Sequence, residues 1–291
     1  MQRTIRKPVH VKGTGLHTGC AVSLNLKPAP VGTGIVFRRT DLQGFEIEAR
    51  RKWVSRVVLA TTLMKQGVML STVEHLLSAV YALGLDNLFI EIDSLEVPIL
   101  DGSSMPFVEL INEAGIQEQD EERTYLVITR KFRLDRDDKF IELAPCASFQ
   151  ISYEIVFEHP VIGRQKLDLE ITPESYTREI AFARTFGFYE EAEELRKKGL
   201  IRGGSFDNAV VLSEDRVMNG ELRAPDEFVR HKALDLIGDI ALCGFPIIGR
   251  IRAFKAGHAL HTLLATELSR NRSLTRLRRE SELDPAVAVN Q

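Results

Sequence analysis

Residues 228–242, FVRHKALDLIGDIAL, decide the layering of this fold. Apolar side chains cover most sides of the helix that their spacing predicts, so we expect this helix to be buried. His231 and Asp235 are four residues apart and share one helix face, and Asp239 lies one turn further, roughly 80° around from His231. Because an unpaired charge in an apolar interior is costly, this polar stripe must face water in a cleft, a metal ion or another charged group.

The bulk composition indicates a globular protein with no overall attraction to polyanions. The 291 residues suit one large domain or two ordinary ones, and the hydrophobic and charged fractions, 44% and 27%, are normal. The net charge of −3 favours neither nucleic acid nor an anionic membrane. We therefore expect no nucleic-acid partner.

Cysteine usage and hydropathy predict a cytoplasmic location. The three cysteines, Cys20, Cys146 and Cys243, are odd in number and form no CxxC pair, which argues for reducing conditions and against a disulfide framework or a thiolate zinc site. The N-terminus has no apolar core of signal-peptide length, and no apolar run approaches the ~18 residues that span a bilayer. We predict no integral membrane segment.

The order of predicted elements repeats once along the chain. The first half has strands at 3–60 and 87–100 with helices at 71–83 and 105–114; the second has strands at 124–171 and 247–254 with helices near 189–198, 226–242 and 259–269. This order predicts an α+β protein of two similar domains, each a β-sheet layered on a pair of helices. We place the N-terminal domain at 1–120 and the C-terminal domain at 124–270, with the polar run 117–123 as linker.

The segment after residue 270 is basic, with five arginines between residues 270 and 279. We interpret 271–291 as a solvated extension of the preceding helix that ends in a flexible tail. A weak contact with an anionic surface is the alternative.

Two further segments carry residues capable of chemistry. Ser71 and Glu74 have the spacing of a helix capping box, and this segment alone favours that role over a catalytic one for Glu74 and His75. Residues 255–258, KAGH, place His258 at a strand-to-helix junction, where sites are often built. Taken alone, a histidine there is more often a cap or a surface residue.

Together, these segments suggest a zinc hydrolase. Two histidines and one carboxylate with an open position are a ligand set of such enzymes, and a neighbouring carboxylate can act as the base. His75, His231 and Asp235 could be the ligands, with Glu74 as the base. The spacing along the chain leaves open whether these residues meet in space.

Several blocks, in this order, resemble the zinc-dependent UDP-3-O-acyl-N-acetylglucosamine deacetylases of lipid A biosynthesis. The resemblance extends from residue 13 to about residue 270. The blocks are GTGLHTG (13–19), STVEHL (71–76), PILDGS (98–103), ARTFGF (183–188), GGSFDN (203–208), EFVRHK (227–232) continuing to Asp239, and KAGH (255–258).

The resemblance implies both a fold and a reaction. The family's active site lies in a cleft between the helix layers of two similar domains. The implied reaction is hydrolysis of the N-acetyl group of UDP-3-O-(3-hydroxyacyl)-N-acetylglucosamine, which releases acetate and is the committed step of lipid A biosynthesis. The implied cofactor is Zn²⁺. We expect a monomer.

The resemblance also implies catalytic roles. The zinc ligands would be His75, His231 and Asp235. Glu74 would be the general base. His258 would stabilise the oxyanion and protonate the leaving amine, held protonated by Asp239 because an opposite charge raises a histidine pKa. Thr185 would hydrogen-bond the tetrahedral intermediate.

Substrate contacts follow from the same resemblance. Phe186 would pack on the glucosamine ring, and Lys232 and Lys255 would lie near the diphosphate. Phe188 and the segment 188–202 resemble an insert that forms a hydrophobic acyl passage, although periodicity alone favours a surface amphipathic helix there. Residues 59–62, LATT, lack a cysteine that some members carry, which puts an inhibitory second-metal contact in doubt.

Two other hypotheses remain open. A zinc hydrolase of another amide, such as a peptide, is disfavoured because the HExxH pattern is absent. A non-catalytic binding module is disfavoured because the proposed catalytic positions are all present. Substitution of Glu74 by alanine distinguishes an enzyme, which would lose turnover, from a binder, which would have none to lose.

Overall fold

The computed structural model describes residues 1–283. This part of the chain has a mixed α+β structure, as predicted. The helices are α1 (Glu74–Ala82), α2 (Met105–Ala114), α3 (Pro173–Glu179), α4 (Tyr189–Lys197), α5 (Glu227–Ala241) and α6 (His258–Arg270). Among these residues, no helix has both the length and the apolar character needed to cross a membrane.

The first half is built on a five-stranded sheet. The strands of the first half are β1 (Arg3–Ile5), β2 (Val9–Thr14), β3 (Ala21–Pro28), β4 (Ile35–Arg39), β5 (Phe45–Glu48), β6 (Val54–Arg56), β7 (Thr62–Lys65), β8 (Val68–Leu70), β9 (Leu88–Ile92) and β10 (Ile116–Glu118). The main sheet has the order β2-β3-β9-β4-β5, and β6-β7-β8 form a smaller one. Val22, Leu24 and Leu26 of β3 are buried, as their alternation predicts. α2 packs on β2 and on α1.

The second half is built on a seven-stranded sheet. The strands of the second half are β11 (Thr124–Ile128), β12 (Phe132–Arg136), β13 (Lys139–Ala144), β14 (Phe149–Val156), β15 (Arg164–Glu170), β16 (Phe186–Phe188), β17 (Val210–Leu212), β18 (Ile247–Phe254) and β19 (Thr275–Arg279). β18 is central and pairs with β11, β13 and β14. α5 packs on β14 and β15, and α6 packs on β13 and α5. β16 and β17 form a separate parallel pair beside α4.

The helices α1 and α5 pack against each other, so the two halves meet through their helices. Twelve of the 15 residues of α5 are buried, which confirms the burial predicted for residues 228–242. Gly238 leaves room for the backbone of Glu74 at the crossing. Because α1 carries Glu74 and His75 and α5 carries the polar stripe, this helix pair positions the site.

The basic segment after residue 270 differs from its prediction. The helical extension is wrong, because β19 pairs antiparallel with β11 at the edge of the second sheet. Thr275 is buried and the other four residues of β19 are exposed, a pattern that a charged strand at the edge of a sheet allows. Residues 284–291 of the predicted tail lie outside the described part of the chain.

Two other segments also differ. The run 117–123 is not wholly a linker, because Gln117 and Glu118 belong to β10 and pair with β1. The helix α3 was not predicted; it is short, and its signal is a capping box in which Thr172 and Ser175 exchange hydrogen bonds. The domain boundaries at 120 and 124 stay predictions.

Candidate active site

The helices α1 and α5 bring two histidines and a carboxylate together. The ligand atoms of His75, His231 and Asp235 all lie within 4.8 Å of one another. Oδ1 of Asp235 is 3.3 Å from Nε2 of His231 and 3.8 Å from Nε2 of His75. All three side chains are buried. A single metal ion can therefore reach one atom of each residue.

The charge states of this group suit a divalent metal ion. Burial lowers the pKa of His75 to about 3 and also lowers that of His231, so both rings are neutral. Burial disfavours the Asp235 carboxylate, but the ammonium of Lys232, with Nζ 2.8 Å from Oδ2, is the main group that keeps its pKa well below the ordinary value. Nδ1 of His231 donates to the carbonyl of Ala183 at 3.1 Å, which leaves Nε2 as a metal donor. Nδ1 of His75 is buried and has no hydrogen-bond partner within residues 1–283.

Glu74 lies beside this group and forms no helix cap. The predicted capping box is wrong, because the Ser71 hydroxyl bonds to that of Thr62, and the side chain of Glu74 turns into the site. Oε2 of Glu74 accepts a hydrogen bond of 3.1 Å from the amide of Thr61. Burial raises the pKa of Glu74 to about 8. A carboxylate with such a pKa is suited to accept a proton near neutral pH.

His258, the first residue of α6, is paired with Asp239 of α5. Its Nδ1 donates to Oδ2 of Asp239 at 2.7 Å, and the Thr61 hydroxyl donates to the other oxygen at 2.5 Å. Its Nε2 lies 4.0 Å from Oε1 of Glu74 and 3.9 Å from Oδ2 of Asp235. Burial works against the charged ring, but these carboxylates outweigh it and raise the pKa of His258 to about 10. The ring is therefore an imidazolium at neutral pH.

One cavity of about 220 Å³ is lined by Glu74, His75, His231, Asp235 and His258. Thr185 and Phe186 line the same cavity. The amide of Thr185 donates to the carbonyl of Gly102, and its carbonyl accepts from the amide of Val210, both at 2.8 Å. Nζ of Lys232 lies 5.7 Å from the centre of the Phe186 ring. The cavity thus combines three residues that could hold a metal ion, the carboxyl group of Glu74, the imidazolium of His258 and an aromatic wall.

Residues 2–270 match the family model of the UDP-3-O-acyl N-acetylglycosamine deacetylases. The chain belongs to this family. A UDP-3-O-acyl-N-acetylglucosamine deacetylase of Solibacter usitatus (strain Ellin6076) is 49% identical over 268 residues, which cover 92% of this chain and 90% of that protein. A protein of the same name from Myxococcus xanthus (strain DK1622) is 48% identical, over 92% of this chain and 86% of that protein. Another from Nautilia profundicola (strain ATCC BAA-1463 / DSM 18972 / AmH) is 46% identical, over 99% of this chain and 98% of that protein. The predicted family is confirmed, and the chain is a deacetylase-family hydrolase that acts on an amide.

Two residues that the sequence predicted to bind substrate, Lys255 and Phe188, do not line this cavity. Nζ of Lys255 pairs with Oδ2 of Asp138 at 2.6 Å. Phe188 packs beside Phe157 and His159, with ring centres 6.3 and 5.6 Å apart, and lines a separate cavity. Their roles in substrate binding stay predictions.

His17 lines the same cavity, although the sequence gave it no predicted role. Both of its ring nitrogens are buried without a hydrogen-bond partner in the described residues, and burial lowers its pKa. The carboxylate of Glu96 accepts from the amides of His17 and Thr18, each at 2.8 Å, and holds this turn. In the sequence, the position of His17 within the block GTGLHTG (13–19) was the feature that could have indicated a role for it. Thr61, noted in the sequence only within LATT, likewise proves to contact both Glu74 and Asp239.

Proposed function

We propose that this protein is a zinc-dependent deacetylase that hydrolyses the N-acetyl group of UDP-3-O-(3-hydroxyacyl)-N-acetylglucosamine. The products are acetate and UDP-3-O-acyl-glucosamine, and the reaction is the committed step of lipid A biosynthesis. The observation that carries the proposal is the placement of His75, His231 and Asp235 within 4.8 Å of one another, beside Glu74 and His258 in one cavity. The names of the relatives support the substrate class. We further propose a cytoplasmic monomer.

The metal would be held by His75, His231 and Asp235. Two neutral imidazoles and one ionised carboxylate, with a further position open, are a donor set that zinc takes in hydrolases. When bound there, zinc supplies a Lewis acid and lowers the pKa of a water ligand toward ~7. The ammonium of Lys232 neutralises the second oxygen of Asp235.

Glu74 and His258 would divide the proton transfers. Glu74 accepts a proton from the attacking water, for which a pKa of about 8 is suitable. The His258 imidazolium stabilises the negative charge that develops on the acetamide oxygen as water adds to the carbonyl carbon. The C–N bond then breaks, His258 gives its proton to the leaving amine, and acetate is released. Thr185 would donate a further hydrogen bond to the tetrahedral intermediate.

The substrate would extend from this cavity in two directions. Phe186 would pack on the glucosamine ring, and Lys232 and Lys255 would lie toward the diphosphate. Phe188 and the segment 188–202 would border the acyl chain. In support, Leu200 of this segment lines a groove of about 440 Å³ that shares Leu59 with the catalytic cavity. α4, within the same segment, has no buried residue, so its amphipathic face is available to a ligand.

The test is acetate release from UDP-3-O-(3-hydroxymyristoyl)-N-acetylglucosamine, measured before and after zinc is stripped and restored. We expect activity to vanish with the metal and to return near one zinc per chain. His231→Ala should lose both zinc and activity, whereas Glu74→Ala should lose activity and keep zinc. No acetate from the zinc-loaded protein at any acyl length would contradict the proposal and favour a binding module. Cleavage of peptides in its place would indicate another amide hydrolase.

A further inference from the structure

The carboxylate of Asp239 accepts more hydrogen bonds than its pairing with His258 requires. Nδ1 of His258 and Nδ1 of His261 lie 2.7 and 2.9 Å from the same oxygen, Oδ2. The second oxygen accepts from the hydroxyl of Thr61 at 2.5 Å. The side chains of His261 and Asp239 are both 0% exposed. Solvent therefore does not compete for these contacts.

His261 is held from its other side as well. Its Nε2 lies 3.0 Å from the hydroxyl of Tyr153 on β14. The same hydroxyl lies 2.9 Å from the carbonyl of Ala256 in the turn before α6. Because a carboxylate can only accept, Nδ1 of His261 carries the proton in its contact with Asp239. The contacts of His261 therefore join β14, α5 and α6 directly behind the catalytic acid.

We propose that His261 is a positioning residue for deacetylation, an inference that rests on the proposed function. The terminal torsion of an aspartate is broad unless its oxygens are restrained. The N–H of His261 adds a second restraint on Oδ2 of Asp239 and fixes the plane of the carboxylate. Fixed in this way, Asp239 directs Nε2 of His258 toward Glu74 and Asp235, 4.0 and 3.9 Å away.

The position of His261 predicts which kinetic constant should change. The cavity is lined by His258 but not by His261, so loss of His261 removes no contact with substrate. We therefore expect kcat to fall while KM stays near its original value. A misplacement of about 1 Å in a catalytic group can cost roughly 100-fold in rate, so His261→Leu should lower kcat by about 10- to 100-fold.

The test compares three substitutions in the zinc-loaded full chain. Asparagine places an amide N–H at the same distance along the side chain as Nδ1 and can restore the bond to Asp239. Glutamine is one carbon longer and places its amide near the position of Nε2. We expect His261→Asn to recover most of kcat, and His261→Gln to resemble His261→Leu. Melting temperature and zinc content are measured for each variant, and kcat is normalised to bound zinc.

The outcomes separate the alternatives. Recovery of kcat in His261→Asn but not in His261→Gln supports the positioning role, even if His261→Leu fails to fold. Equal kcat in the asparagine and glutamine variants, or a lower melting temperature with unchanged kcat, overturns it, since a merely structural residue behaves in that way. If the unaltered protein releases no acetate, the proposed function fails and the inference fails with it.

Discussion

Gly238 of α5 faces the backbone of Glu74 in α1 so closely that a Cβ atom at residue 238 would lie 2.1 Å from the Glu74 carbonyl oxygen. This contact joins α1, which carries Glu74 and His75, to α5, which carries the polar stripe. Any larger residue at position 238 would force one of the two helices to move, because the atom that its Cβ meets belongs to the backbone of Glu74. The close crossing is also what places His75 of α1 near Asp235 of α5, with 3.8 Å between Nε2 and Oδ1.

Gly238→Ala should therefore reduce both stability and activity. Overpacking of a buried contact typically costs about 1–3 kcal/mol, and separation of the helices would also spread the metal-binding group. Chemical denaturation and zinc titration would measure the two effects. Gly187→Ala is the control for stability, since a Cβ there meets no atom within 4 Å. Equal stability of the two variants would contradict a structural role for the crossing.

Glu74→Gln should abolish most catalysis while leaving the metal in place. The amide keeps the size of the carboxylate and can still accept from the Thr61 amide, which lies 3.1 Å from Oε2, but it cannot take a proton. Loss of a general base typically costs about 10²–10⁴-fold in kcat. Turnover and zinc stoichiometry would be measured on the same preparation. Retained turnover would show that another group accepts the proton.

The pairing of His258 with carboxylates predicts how the stability of the metal-free protein depends on pH. Its pKa is raised from 6.5 to about 10 in the folded chain, so the folded state binds the proton more tightly than the unfolded state. The resulting stabilisation is complete below pH 6.5 and is lost as the pH rises toward about 10. The slope from this one proton is at most about 1.4 kcal/mol per pH unit. Denaturation of the metal-free protein across this range should show a flatter profile for His258→Gln; an identical profile would refute the assignment.

Glu227→Ala should destabilise the protein strongly. The side chain of Glu227 is 0% exposed, and Oε1 accepts from Nε of Arg184 at 2.8 Å. Oε2 accepts from the amide of Arg223 at 2.7 Å. Removing one partner of a buried ion pair typically costs about 3–5 kcal/mol, and Arg184 directly precedes Thr185 in the cavity wall.

Chemical denaturation and kcat would be compared between Glu227→Ala and a surface control, Asp135→Ala. Asp135 forms an exposed pair with Arg133, in which the two side chains are 61% and 43% exposed, so its loss should cost little. Similar losses in both variants would mean that the buried pair does not hold the wall of the cavity.

Local patterns predicted most of the elements because their causes are local. The strand over residues 247–254 and the helix over 105–114 were predicted with the bounds that the structure has, since alternation and helical period act within one segment. The capping box at Ser71 failed for the opposite reason. The spacing of Ser71 and Glu74 fits a capping box, but the side chain of Glu74 is buried beside α5 and does not cap α1. That burial depends on a helix more than 150 residues away in the chain.

The sequence by itself determined the residue types of the site: histidines and carboxylates spaced on helices, and blocks specific enough to identify the family. The tertiary structure decided which of them meet. It brought His75 to His231 and Asp235, and it placed Lys255 and Phe188 outside the cavity that these residues line. It also added His17 to that cavity and His261 to the contacts of Asp239. Helical period determines which face of its own helix a side chain occupies, whereas burial, pKa and proton position depend on the groups that folding places opposite it.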